Sequence, residues 1–199
     1  MLKRIKAKLQ FEKSQRLVRS QRGKLEVQDR TIISQNCIGG VFSHDMGLEF
    51  RSPTVNLFIP AADYMKFIMN LEYYLGLEPE PAPSKEYPVG RLGDIELHFV
   101  HYHSFQQAQQ AWIRRVKRVD LSKVVVLSTD RDGFNGEVFE KWKMISYPKV
   151  LFTACRQYAD HPDSVYYPEY EKNGCIPDII PQREFYRDGK LMNTINGKS

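Results

Sequence analysis

One run constrains this chain more than any other: Lys123-Val124-Val125-Val126-Leu127-Ser128-Thr129-Asp130-Arg131-Asp132-Gly133. Its first half is apolar and β-branched, which marks a strand buried on both faces and hence a parallel sheet covered by helices. Its second half puts two carboxylates, an arginine and a glycine at that strand's carboxyl end. Charge in such a place is costly unless it is paired or used. In open α/β sheets, ligands bind outside the carboxyl ends of the strands. Asp130, Arg131 and Asp132 are therefore the first candidates for a functional site.

The rest of the chain fits that frame. At 199 residues, 42% of them hydrophobic and 12% aromatic, it holds enough apolar side chain for one sizeable core. Short apolar runs at Thr31–Ser34, Val55–Ile59, 94–103, 123–128, 150–153 and 164–167 read as strands. Gln35–Gly40 reads as a tight turn with two glycines free to take positive φ. Asp63 is a plausible N-cap for a helix through Leu75, with Gly76 at its end. Ser104 and Gln107 have capping-box spacing and open a helix to Val119. A further helix is expected near Glu137–Ile145. Four prolines between Glu78 and Pro88 mark an extended surface connection. Alternation of strand and helix from residue 94 onward predicts βαβ units, a mainly parallel sheet and a three-layer α/β/α fold. The expected organisation is a basic amphipathic leader over 1–28, an α/β domain over 29–172 and a loosely held tail over 173–199, where Pro, Gly and polar residues accumulate.

Charge and cysteine content narrow the classes of function. Residues 1–30 carry ten Lys/Arg against three Asp/Glu, a net of +7 in a chain whose total is +5. The body is thus close to neutral, which argues against nucleic acid as its partner. A basic helix over 1–22, with Leu2, Ile5 and Leu9 as an intermittent apolar stripe, suits peripheral contact with an anionic membrane or a solvated face. No apolar run is long enough for a membrane span, and no signal-peptide core is present, so a cytoplasmic location is expected. Cys37, Cys155 and Cys175 form no CxxC pair, which fits a reducing compartment.

Several constellations carry candidate chemistry. Asp130 and Asp132 would share a divalent cation, Mg²⁺ or Mn²⁺, which in turn holds a diphosphate. Arg131 would clamp phosphate through its planar guanidinium. The same tripeptide also suits a turn whose carboxylates accept backbone N–H groups. Asn36, Gly39 and Gly40 would cradle a ligand after the first strand. Cys37 beside them is either a nucleophile or a buried, unreactive thiol. In the 94–103 strand, alternation places Asp94 and His98 on one face and His101 and His103 on the other, so no three-histidine metal site is expected. Asp94, His98 or His101 would serve singly as general acid or base. Arg91, between Gly90 and Gly93, would contact phosphate, although no P-loop or G-x-G-x-x-G spacing occurs.

Taken in order, Ser34-Gln35-Asn36-Cys37-Ile38-Gly39-Gly40, Ser52-Pro53, Leu57-Phe58-Ile59-Pro60, Pro88-Val89-Gly90-Arg91-Leu92-Gly93-Asp94, Arg114-Arg115-Val116-Lys117-Arg118 and Ser128-Thr129-Asp130-Arg131-Asp132-Gly133 form a recognisable set. The set resembles a bacterial domain family of unestablished function found in exopolysaccharide and capsule biosynthesis loci, over roughly residues 29–172. The resemblance implies an α/β fold and a role in surface-polysaccharide assembly. It assigns no catalytic residue. The expectation is a transferase: first a metal-dependent glycosyltransferase taking a nucleotide sugar or other activated donor and a saccharide acceptor. A polysaccharide O-acyltransferase using Cys37 or a histidine, and a non-catalytic carbohydrate-binding or scaffold protein of the assembly machinery, are the alternatives.

Overall fold

The computed structural model describes residues 2–84 and 86–198. The chain folds as three α/β/α layers around a parallel sheet. In chain order the helices are α1 (Leu2–Arg22), α2 (Ile38–Met46), α3 (Ala61–Met69), α4 (Leu71–Leu75), α5 (Phe105–Val116), α6 (Gly136–Lys143), α7 (Arg156–Ala159) and α8 (Lys190–Asn196). The strands are β1 (Thr31–Ser34), β2 (Glu80–Ala82), β3 (Val89–Leu92), β4 (Ile95–His98), β5 (Val124–Thr129), β6 (Lys149–Thr153) and β7 (Ser164–Tyr166). Among the described residues, no helix is long and apolar enough to cross a membrane.

The central sheet has the order β1-β5-β6-β7 and is parallel throughout. Every residue of β5 is buried, as its run of valines requires. Alternation along the strands divides the core in two. Ile33, Val124, Val126 and Leu151 face a layer containing α3, α5 and α6, with Tyr64, Phe67, Trp112 and Trp142 at its centre. Ile32, Val125, Leu127, Val150 and Phe152 face the other layer, formed by α1, α2 and the C-terminal segment.

The structure departs from the sequence reading in several places. β4 does not join the parallel sheet; it pairs antiparallel with β3 in a separate three-stranded sheet of order β2-β3-β4. The alternation from residue 94 is thus not one continuous βαβ series. Val55–Ile59 is not a strand of the sheet; Asn56 takes φ +66°, and only Phe58 makes a bridge, to His98. The helix expected to run unbroken to Leu75 is interrupted at Asn70, whose extended φ of −129° separates α3 from α4. α3 begins at Ala61, and Asp63, instead of capping it, accepts the Glu96 backbone N–H at 3.0 Å. By contrast, Ser104 accepts the Gln107 N–H, as its spacing predicts.

The stretch after residue 173 is no loose tail. Ile176, Ile179, Phe185, Tyr186, Leu191, Met192 and Ile195 are all buried against the sheet's second face. Asp45 on α2 fixes this segment by accepting from Arg183, Nε at 2.5 Å and Nη2 at 3.1 Å. Proline and glycine here shape a path over the core; the buried apolar residues spaced between them hold it.

At the other end, the described side chains of α1 are seated over its last turns. Val18 and Gln21 are buried and Leu17 packs partly against the core, whereas Gln10 through Lys13 are exposed. The side chains of Leu2, Ile5 and Leu9, the expected apolar stripe, lie outside the described residues.

Candidate functional site

β1 and β5 lie side by side, so their exit loops meet at one rim of the sheet. Gln35 joins them. Its backbone N–H bonds the Leu127 carbonyl, its side-chain oxygen accepts the Thr129 N–H at 3.0 Å, and its amide nitrogen donates to the Arg131 carbonyl. Asn36 continues the link, donating to Thr129 Oγ1 at 3.1 Å while its oxygen accepts the Ile38 N–H at the start of α2. Between these loops opens a cleft of about 440 Å³, lined by Asn36, Cys37, Phe58, His101, Arg131, Asp132 and Asp178 among others. A second recess of about 460 Å³ adjoins it and shares Arg131, Asp132 and Asp178. The C-terminal segment forms this wall through Cys175, Ile176, Pro177 and Asp178. A hollow of similar size, about 470 Å³, opens at the opposite rim between Asn70 and Tyr147. Its one charged lining residue is Glu72, so it offers less chemistry than the rim cleft.

The two carboxylates of the Asp-Arg-Asp run part company. Asp130 is buried, and its oxygens accept Thr153 Oγ1 at 2.9 Å and the N–H groups of Ala154 at 2.7 Å and Ile176 at 2.9 Å. It anchors three segments to one another and does not line the cleft. Asp132 does line it. Its backbone sits in the left-handed region at φ +57°, followed by Gly133 at +87°. An aspartate tolerates that conformation better than most residues. The residue is exposed at the edge of the cleft, and partial loss of hydration there raises its pKa above the usual carboxylate value, against the pull of Arg131 and His98. Among the described residues, no group of three or more His, Cys, Asp or Glu stands together to hold a metal ion. The carboxylates facing the cleft are Asp132 and Asp178, not the sequential pair Asp130 and Asp132.

Gly39 and Gly40 do not form a cradle. Both are buried on helix α2, and neither has a positive φ. A Cβ on Gly39 would stand 2.7 Å from Ser34 Cβ, and one on Gly40 3.1 Å from Val55 Cγ1. They are glycines because the helix lies directly on β1 and the 55 segment. Cys37 lines the cleft, but burial and the facing Asp178 carboxylate push its thiol up to about 11. It stays protonated at neutral pH, which weighs against a thiolate nucleophile.

The hairpin residues fall on two sides. Arg91, exposed on β3, reaches Glu80 at 3.8 Å. Asp94 accepts from Tyr74 Oη at 2.6 Å and Lys66 Nζ at 3.0 Å, well away from the cleft. Four residues of extended chain, roughly 13 Å, carry the strand from Asp94 to His98. His98 lies beneath the cleft, its ring stacked on Phe58 at 4.4 Å between centroids, and burial holds its pKa below the usual imidazole range. His101 sits past the strand's end, exposed on the cleft's rim. The structure thus brings Asn36, Cys37, His101, Arg131 and Asp132 together, with His98 behind Phe58. It leaves Arg91, Asp94 and Asp130 outside. Gln35, Phe58 and Asp178 were not read from sequence as site residues. Of these, only Gln35, in a polar triplet directly after a buried strand, gave a local signal.

A family model described as a domain of unknown function, DUF1919, matches residues 8–196. The chain belongs to the DUF1919 family. An uncharacterized protein of Haemophilus influenzae is 35% identical over 162 residues, covering 79% of this chain and 77% of its own length. The DUF1919 match runs past residue 173, so it includes the C-terminal wall of the cleft as well as the sheet.

Proposed function

We propose that this chain is a glycosyltransferase that moves a sugar from a nucleotide-sugar donor to a hydroxyl of a saccharide acceptor in exopolysaccharide or capsule assembly. The observation that supports the reading is the pairing of Asp132 and Arg131 in a cleft at the carboxyl rim of a parallel sheet. Arg131 presents a planar fork suited to the donor's phosphates. Asp132, with its pKa raised by burial, is a stronger base than an ordinary aspartate. The acceptor oxygen forms a bond to the sugar carbon as the bond from that carbon to the diphosphate breaks. The acceptor proton passes to Asp132, and the negative charge departs on the diphosphate beside Arg131. Mg²⁺ or Mn²⁺ would neutralise charge on the leaving diphosphate, with Asp178 as the carboxylate offered to it. Phe58 and Val100 supply apolar surface on which a sugar or base ring rests.

The test is titration calorimetry of the full chain with a panel of nucleotide sugars, with and without Mn²⁺. At least one donor binds saturably, Arg131→Ala weakens it at least about tenfold, and Asp132→Asn keeps binding while lowering transfer by about 10²–10⁴-fold. Failure of every donor to bind, or binding indifferent to Arg131, overturns the reading.

A further inference from the structure

We propose that the N-terminal half of α1 is a docking arm for an anionic lipid bilayer surface. α1 spans twenty-one residues, Leu2–Arg22, and among its described side chains, those from Gln10 onward, burial centres on Leu17, Val18 and Gln21. Helices that pack on a domain bury an apolar stripe along their length. Phe11 stands seven residues before Val18, on the same helical face, but is 64% exposed. Gln10, Glu12, Lys13, Arg16 and Arg19 around it are exposed too.

Charge selects the occupant. Residues 2–22 hold eight Lys/Arg and a single acid, Glu12, while the whole chain sums to only +5. The remainder of the protein therefore carries a slight negative charge and does not share in any general attraction to polyanions. A segmental cation of this kind matches the anionic lipid headgroups of a membrane surface, where each nearby Lys or Arg adds to binding. Exposed Phe11 supplies an apolar anchor at the boundary between headgroups and acyl chains. A second copy of the chain would bring a second arm of the same strong positive charge, which repels rather than docks. The inference is independent of the transferase reading, because its readout is partitioning and not turnover.

The experiment is flotation of the full-length chain with vesicles of phosphatidylcholine alone and of phosphatidylcholine containing about a third phosphatidylglycerol. The chain partitions to the anionic vesicles, not to the neutral ones, and raising salt releases it. Replacing Lys6, Lys8, Lys13 and Arg16 together by Gln weakens partitioning by at least about a hundredfold. Phe11→Ser weakens it roughly tenfold. Circular dichroism and the thermal midpoint, read in both variants, separate lost partitioning from lost folding. Absence of partitioning, equal affinity for neutral vesicles, or wild-type partitioning by the four-site variant overturns the proposal. So does a concentration-dependent dimer that Phe11→Ser abolishes, or tighter binding to a nucleic acid than to the anionic vesicles.

Discussion

The side-chain oxygen of Gln35 accepts the backbone N–H of Thr129 across 94 residues of sequence, at 3.0 Å in the core. With the amide nitrogen bonded to the Arg131 carbonyl, one buried side chain completes the end of β5 and positions the next turn. Gln35→Ala leaves the Thr129 N–H buried without a partner, which costs about 1–3 kcal/mol. Urea denaturation is expected to show the loss as a lower midpoint with an unchanged slope. Amide exchange at Arg131 and Asp132 should speed up more than exchange in β6.

Asp130 and Asp132 respond oppositely to substitution. Asp130→Ala strands three donors, those of Thr153, Ala154 and Ile176, and is expected to destabilise by about 3 kcal/mol or more. Asp132→Asn removes an open carboxylate and keeps a residue suited to positive φ, so stability should stay within about 0.5 kcal/mol. Transfer activity should instead fall by about 10²–10⁴-fold through loss of the base. Thermal melts beside a donor-turnover assay separate the two. Wild-type stability in Asp130→Ala would contradict the anchoring role.

Titration of Asp132 has a defined sign. Burial raises its folded pKa above the ordinary aspartate value, so the folded chain binds that proton more tightly than the unfolded one. The resulting stability penalty is present above the raised folded value. It fades as pH falls through that value towards the unfolded one. Activity moves the other way, because a base must be ionised. The acid limb of kcat/KM is therefore displaced above the usual aspartate range. Arg131 now lowers this pKa, so Arg131→Ala should raise it further, observable by carboxyl NMR titration.

Cys37 should be slow to alkylate. With its thiol pushed up to about 11, iodoacetamide at neutral pH modifies it far more slowly than an unperturbed cysteine. The rate should climb steadily with pH towards that value. Peptide mapping after timed quenching measures it, and rapid labelling at neutral pH would revive a covalent acyl-transfer route.

Much of the fold could be read from residues whose partners are local. The valine run of β5, the Ser104 cap and the spacing of Phe67, Leu71 and Tyr74 all report nearby burial or nearby hydrogen bonds. What could not be read depends on distant neighbours. Gly39 looks like a flexible turn until Ser34 is seen pressed against it. The Asp-Arg-Asp tripeptide reads as a metal pair because adjacency in sequence says nothing of direction. Only the arrival of Ala154 and Ile176 shows that Asp130 is an anchor. The same holds for the polar, proline-rich stretch after Asn173, whose burial is set by the sheet face it crosses. Asn36, Arg131 and Asp132 were legible as residues of the rim cleft because strand ends can be located from the apolar runs before them. Asp178 was not, for it has no strand of its own.

The rim cleft draws its walls from Asn36, Phe58, His101, Arg131 and Asp178, points spread along almost the entire polypeptide. During synthesis, four of these five emerge before the segment carrying Asp178 has left the ribosome. At that point one wall of the cleft is missing, and so are the buried residues from Ile176 to Ile195 that cover the sheet's second face. On the proposed reading, ligand binding needs the completed chain, and a bound ligand would add its stabilisation to the finished molecule and to no shorter intermediate.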